Sequence, residues 1–223
     1  MPISTTIFSI IRNATATGTF FLVAVGIASA EVYDFNRFVR GGGGGLDPAK
    51  QRIVTGAGAF ICVDIRGSRV PPASRVLFTF WSQMPDPKSR VAHIVFDTGR
   101  HTDLFGNVSI LVQSPGLRAK VAPPKSHAML HGLAPDYWIA LPYPDGITPR
   151  KSVVVAATLA SGKTFANVIS ALNEGLNPAT ATTGLRVGVI ASHILGGPPP
   201  GVATIYDDGG FILTGISSRC RTS

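Results

Sequence analysis

The chain has 223 residues, of which 45% are hydrophobic and 14% charged, and its formal net charge is +8. That hydrophobic fraction is ordinary for a globular protein and excludes a disordered or collagen-like chain. The excess of Lys and Arg is typical of a solvated basic surface, and attraction to an anionic partner is the alternative. Nucleic acid is not expected as that partner, because the basic residues are scattered and their longest runs are pairs such as Arg150-Lys151.

Residues 1–30 have the pattern of a cleavable signal peptide. Arg12 supplies a positive charge, residues 19–28 form a short apolar run, and Ala28-Ser29-Ala30 is a small-x-small cleavage site before Glu31. The apolar run is about half the length that a membrane-spanning helix needs, so we favour cleavage over an uncleaved anchor. We therefore expect an exported protein, periplasmic, extracellular or at the cell surface. The mature chain would carry a charge of +7 and no transmembrane segment.

Residues 31–49 are predicted to be a flexible, glycine-rich linker. Gly41–Gly45 are five consecutive glycines, which have high backbone entropy and no side chains to pack. The remaining residues, 50–223, are long enough to form a single domain with its own core.

Short runs rich in Val, Ile and Phe follow one another through this domain, bounded by Gly, Pro and Asp, which is typical of β-strands. The runs are Phe60–Ile65, Arg75–Trp81, Val91–Phe96, Asn107–Val112, Tyr137–Leu141, Ser152–Leu159, Leu185–Ile190, Thr204–Tyr206 and Phe211–Leu213. The last two are predicted to form a hairpin through an Asp-Asp-Gly-Gly turn. Residues 121–136 are predicted to be a loop. This pattern predicts an all-β fold, a β-sandwich or jelly roll.

One segment has helical periodicity instead. Phe165, Val168, Ile169 and Leu172 are spaced i, i+3, i+4 and i+7, which places four apolar side chains on one face of a helix. We predict a short amphipathic helix over residues 164–174, with Gly175 as its C-terminal stop.

The chain contains two cysteines, Cys62 and Cys220. An even cysteine count in an exported protein predicts one disulfide between them. Two free thiols are the alternative.

The most suggestive catalytic motif is Asp97-Thr98-Gly99, which follows an apolar run. Aspartic proteases present a catalytic aspartate in this way, and Ile194-Leu195-Gly196 resembles the segment that they place behind it. Their chemistry needs two aspartates that share a proton, so this chain would have to dimerise. Arg100 also follows the glycine where such proteases carry Ser or Ala. We therefore predict a structural Asp97 and no catalytic residue, with a dimeric aspartic protease as the alternative.

Other motifs do not predict a cofactor or metal site. Gly162-Lys163-Thr164 resembles the end of a phosphate-binding loop, but Ala157 stands where that loop needs its first glycine. His127 and His131 are four residues apart in a proline-flanked segment with no Glu beside them, so they do not match a zinc motif. No Gly-x-Ser-x-Gly nucleophile elbow occurs in the sequence.

The order of several segments resembles a group of exported bacterial proteins, many of which end in a PEP-CTERM sorting tail. The segments are Val91–Gly99, Ser109–Leu111, Ser114–Gly116, Gly146–Pro149, Leu159–Leu172 and Leu185–Val189. The resemblance covers about half of the chain, from His93 to Ile190. It implies an extracellular β-sandwich of unknown function, often from bacteria that produce exopolysaccharide. It also counts against the protease, since the Asp-Thr-Gly of this group has no known catalytic role. The sorting tail itself is missing after Thr214, so the resemblance does not imply sorting by that route.

These observations favour an exported, non-enzymatic β-sandwich protein of the extracellular matrix or surface, with anionic polysaccharide as its expected partner. Scattered cations attract a polyanion at long range, and salt screens that attraction. The alternative is an exported hydrolase, most concretely the dimeric protease that uses Asp97. The oligomeric state and the specific ligand stay open at this point.

Overall fold

The computed structural model describes residues 30–40, 61–68, 74–83, 90–124, 133–141, 146–177, 180, 182–192 and 209–216. These residues form ten strands and one helix: β1 (Ala30–Arg40), β2 (Ile61–Ser68), β3 (Arg75–Ser82), β4 (Arg90–Asp97), β5 (Phe105–Gln113), β6 (Lys120–Ala122), β7 (Tyr137–Ala140), β8 (Ser152–Leu159), α1 (Phe165–Leu176), β9 (Arg186–Ser192) and β10 (Gly209–Ile216). The predicted all-β fold with a short helix is confirmed. No helix in these ranges is both long and apolar enough to cross a bilayer.

The strands follow one another in the order β5-β8-β3-β2-β1-β10-β9-β4-β7-β6, and neighbouring strands are antiparallel. The sheet folds over, so that its two halves pack face to face. Phe78 of β3 contacts Phe96 of β4 with ring centroids 5.0 Å apart, and Phe105 of β5 contacts Tyr137 of β7 at 6.3 Å. This packing gives the sandwich-like fold that the strand pattern predicts.

Strand β3 shows how the sequence builds the core. Val76, Phe78 and Phe80 are buried, and the residues between them are only half-buried. Because successive side chains of a strand point to opposite faces, this alternation directs one face toward the other half of the sheet. Burial of each Phe contributes about 1.5–3 kcal/mol to folding.

Strand β1 differs from the expectation of a linker beginning at residue 31. It lies in the middle of the sheet and pairs with β2 on one side and β10 on the other. Tyr33 and Phe35 are buried two residues apart, which is the spacing of one face of a strand. The alternation covers only two buried positions and lies next to five glycines, so the local composition predicts a linker. Gly41–Gly45 lie outside the described residues.

Helix α1 begins where predicted. Thr164 is its N-cap, and the Thr164 N–H donates to Asn167 Oδ1 at 2.8 Å while the Asn167 N–H donates to Thr164 Oγ1 at 3.4 Å. This reciprocal arrangement is a capping box. The expected role of Gly175 is wrong, because Gly175 lies inside the last turn of the helix. A β-carbon there would be 2.1 Å from the carbonyl oxygen of Leu185, so glycine permits close packing of the helix on the chain that enters β9.

Two smaller differences concern strands. Residues 121 and 122, at the start of the expected loop 121–136, belong instead to the edge strand β6, which pairs with β7. The predicted hairpin partner Thr204–Tyr206 lies outside the described residues, and the pairing that the structure does describe joins β10 to β9 and β1.

Candidate functional site

Asp97 ends strand β4, and its side chain is buried with 2% exposure. The register of the sheet places Arg186 of β9 directly opposite. The Arg186 guanidinium donates to Asp97 Oδ2, as does the backbone N–H of Ala134 at 2.9 Å. The backbone N–H of Gly99 donates to Oδ1, also at 2.9 Å. Three donors from three segments therefore occupy the carboxylate.

The other two residues of the motif also have structural partners. The Thr98 N–H and Oγ1 donate to Asp136 Oδ2 at 2.8 and 2.5 Å. Gly99 has φ +58, and a β-carbon on it would be 2.5 Å from the carbonyl oxygen of Thr183. Only glycine fits a positive φ and such close backbone contact. The Asp-Thr-Gly sequence thus forms a turn locked to neighbouring segments.

This geometry favours a structural Asp97 over a catalytic one. A proton-sharing pair needs a second carboxylate facing the first, but Arg186 fills that place. Within the described part of the chain, no carboxylate is bonded to Asp97. Residues 194–196, the other protease-like segment, lie outside it.

A second cluster lies beside this turn and was not predicted from the sequence. Glu174 of α1 accepts hydrogen bonds from Thr183 Oγ1 at 2.5 Å and His101 Nε2 at 2.9 Å, and its Oε1 is 3.0 Å from Arg100 Nη2. The bond from Thr183, the bond from His101 and the charge of Arg100 lower the pKa of Glu174. The cluster ties the turn after β4 to the C-terminal end of the helix. No sequence motif marks it, because its members are brought together only by folding.

Lys163 and Thr164 also have structural roles. Lys163 Nζ lies 2.8 Å from Asp103 Oδ2, and Thr164 caps helix α1. The resemblance to a phosphate-binding loop is thus explained by a turn that ends in a helix cap.

The remaining candidate residues are only partly described. Cys62 lies on β2 and is fully buried. Cys220 lies outside the described residues, so the Cys62–Cys220 disulfide stays a prediction. His127 and His131 lie outside as well. The described His, Cys, Asp and Glu side chains form no group of three or more that could hold a metal ion.

The ten strands and the face-to-face packing of the two halves of the sheet define an all-β, sandwich-like protein. No family model and no curated protein matches the sequence. A search of solved structures finds a chain from Streptococcus parasanguinis, described in connection with pH-induced modulation of adhesion by Fap1 fimbriae. The two chains are 11% identical, the match covers 87% of this chain and 100% of that one, and the TM-score is 0.36. At this TM-score the likeness carries no argument about function.

Proposed function

We propose that this chain is an exported, non-enzymatic β-sandwich protein that associates with anionic extracellular polysaccharide. The observation that carries the proposal is the distribution of ion pairs. The chain has an excess of cations. Among the residues that the structure describes, internal contacts engage the carboxylates and leave several cations without a carboxylate partner.

Five carboxylate side chains are described, and each has at least one ion-pair or hydrogen-bond partner. Asp64 pairs with Arg66, Asp97 with Arg186, Asp103 with Lys163 and Glu174 with Arg100, while Asp136 accepts two bonds from Thr98. Lys120, Arg150 and Lys151 have no carboxylate partner in the described ranges.

No described carboxylate neutralises these three cations, so they are available to attract an external polyanion. A single exposed charge pair contributes about 0–1 kcal/mol, so binding requires a polymer that meets several at once. An acidic polysaccharide has that repeated charge. The signal-peptide pattern of residues 1–30 and the resemblance to exported PEP-CTERM-associated proteins support an extracellular setting, where such polymers are found.

The predicted disulfide agrees with export, and the strand order supports it. Ile216, at the end of β10, pairs with Tyr33 of β1, and the next residue of β1, Asp34, pairs with Cys62 of β2. Strands two positions apart are about 10 Å from each other. The four residues from Ile216 to Cys220 span up to about 13 Å, so the chain is long enough to return to Cys62.

The proposal is tested by co-sedimentation of the mature protein with alginate and with a neutral glucan over a salt series. We expect binding to alginate at 0.01 M salt and its loss by 0.15 M, because the Debye length falls from about 30 Å to about 8 Å. Absence of binding to alginate at low salt would contradict the proposal, as would equal, salt-independent binding to both polymers.

A further inference from the structure

We infer that the acidic polysaccharide binds at one corner of the sandwich, where β5 ends, β6 begins and β8 begins. We call it the basic corner and define it by Arg118, Lys120, Arg150 and Lys151. The inference rests on the proposed function and assigns it to particular residues.

The fold brings the two halves of the basic corner together. Arg118 and Lys120 follow β5, whereas Arg150 and Lys151 precede β8. The Ser114 N–H donates to the carbonyl oxygen of Ser152 at 3.0 Å, and the Ser152 N–H donates to Ser114 Oγ at 2.9 Å. These two hydrogen bonds hold the loop after β5 against the start of β8. The Ala119 N–H, between Arg118 and Lys120, donates to Gln113 Oε1 at 2.8 Å, so the two basic segments lie at the same corner.

Acidic residues are absent from the segments that build the corner. Residues 105–124 and 146–156 contain no Asp or Glu. Four of the five described carboxylates lie toward the opposite end of β5, near the turn after β4 and the helix: Asp97, Asp103, Asp136 and Glu174. Four of the five described carboxylates therefore lie away from the basic corner and are paired elsewhere, so an extended polyanion meets cations at the corner that these carboxylates do not neutralise.

The backbone at Arg150 gives an independent reason to single out this corner. The Lys151 N–H donates to the carbonyl oxygen of Thr148 at 3.0 Å, which closes a four-residue turn with Pro149 second and Arg150 third. Arg150 has φ +69, a conformation that favours glycine at the third position of a type II turn. It is the one residue other than glycine with positive φ in the described ranges. A strained arginine where glycine would fit freely points to a role for its side chain.

The turn is also held in place. Pro149 bridges to Ser82 at the end of β3, and Ile147 bridges to Val91 of β4. Arg150 is thus presented from a backbone anchored on both sides, which lowers the entropy lost when its side chain binds a ligand.

The neighbouring surface suits a sugar polymer. The exposed large hydrophobic side chains of the described residues are Leu111, Val112 and Val121, with exposures of 47%, 57% and 44%. All three lie on β5 and β6, the strands joined at the corner. Acidic sugars carry both carboxylates and apolar C–H faces, so cations beside apolar side chains match their chemistry.

The test compares two variants with equal net charge. Arg150→Gln/Lys151→Gln removes one Arg and one Lys from the basic corner. The control Arg100→Gln/Lys163→Gln removes one Arg and one Lys that already pair with carboxylates at the opposite end. We expect the corner variant to bind alginate about threefold to tenfold more weakly than wild type at low salt, and the control to bind within about twofold of it.

The outcomes separate this inference from the proposed function. If wild type binds alginate and the two variants weaken it equally, net charge alone governs binding and the basic corner is overturned. If wild type does not bind alginate at low salt, the proposed function fails as well. A preference for poly-L-glutamate over alginate at equal charge would indicate an acidic protein partner and would also overturn the inference.

A further variant tests whether Arg150 is kept at its positive φ for ligand binding or for the stability of the fold. Arg150→Gly removes the charge and relieves the positive φ, so we expect unchanged or higher Tm together with weaker alginate binding. A lower Tm with unchanged binding would show that Arg150 serves the fold and not the ligand.

Discussion

Asp97 and Arg186 are 89 residues apart in sequence, yet they face each other across β4 and β9 and form a buried ion pair. Asp97 lies in a motif typical of a catalytic aspartate, but its carboxylate is held by an arginine and two backbone N–H groups, which favours a structural role. The buried ion pair also makes the expected cost of removing the Asp97 carboxylate larger than that of losing a single turn hydrogen bond.

We predict that Asp97→Asn lowers the free energy of unfolding by about 3–5 kcal/mol, because it leaves the Arg186 guanidinium buried without a compensating charge. Urea denaturation followed by circular dichroism measures the loss. The double variant Asp97→Leu/Arg186→Met should recover much of it, since an apolar pair leaves no buried charge. Wild-type cleavage of casein at acid pH that disappears in Asp97→Asn would restore the protease as the better hypothesis.

We predict that Glu174 makes stability depend on pH in the acid range. Its pKa is lowered in the folded protein from the ordinary 4.5, so the unfolded chain binds the proton more readily. Its contribution is therefore present above about pH 4.5 and is lost as pH falls through the folded pKa. Glu174→Gln should flatten the curve of Tm against pH between about pH 5 and pH 3.

The matched control is Asp103→Asn. Its pKa is also lowered, chiefly by a hydrogen bond from Lys163, but its side chain is 70% exposed, so solvent screens the interaction. If the Asp103 variant changes the curve as much as the Glu174 variant does, the cluster around Glu174 has no special role.

We predict that Gly175→Ala destabilises the protein, although alanine is the better helix former by about 1 kcal/mol. The new β-carbon would lie 2.1 Å from the Leu185 carbonyl oxygen, so the helix must move away from the entry to β9. Overpacking of this kind costs about 1–3 kcal/mol. Gly106→Ala is the control, since a β-carbon there meets nothing within 4 Å. Equal Tm values for the two variants would argue against the close packing of α1.

We predict a Cys62–Cys220 disulfide in protein purified from the periplasm. It would close a loop of well over one hundred residues, and such a crosslink contributes about 4–5 kcal/mol in chain-entropy models. Mass spectrometry of the unreduced, alkylated protein should show neither cysteine modified. Two alkylated thiols would contradict the prediction.

We predict that the exported protein begins at Glu31, one residue after the start of β1. N-terminal sequencing of the secreted fraction checks this. A mature chain that still begins at Met1 would make residues 1–30 an anchor.

Much of the fold could be predicted because its signals are local. Ser152–Leu159 was predicted with the bounds of β8, and the apolar spacing from Phe165 to Leu172 located the helix. The strand and the helix were recognised from the spacing of apolar side chains, which alternate in a strand and recur every three to four residues in a helix. This spacing is visible in a short stretch of sequence. Strand β1 was missed because its alternation is short and lies beside five glycines.

The candidate sites depend on long-range pairing instead. By itself, the sequence determined that the chain is basic, that its apolar runs are short and rich in β-forming residues, and that a short amphipathic helix covers residues 164–174. Only the tertiary structure decided that Arg186 occupies the carboxylate of Asp97, and that Arg150 and Lys151 share a corner with Lys120. The reason is physical: strand register and sheet order place side chains from distant segments next to each other, and pairing over such sequence separations leaves no local periodicity.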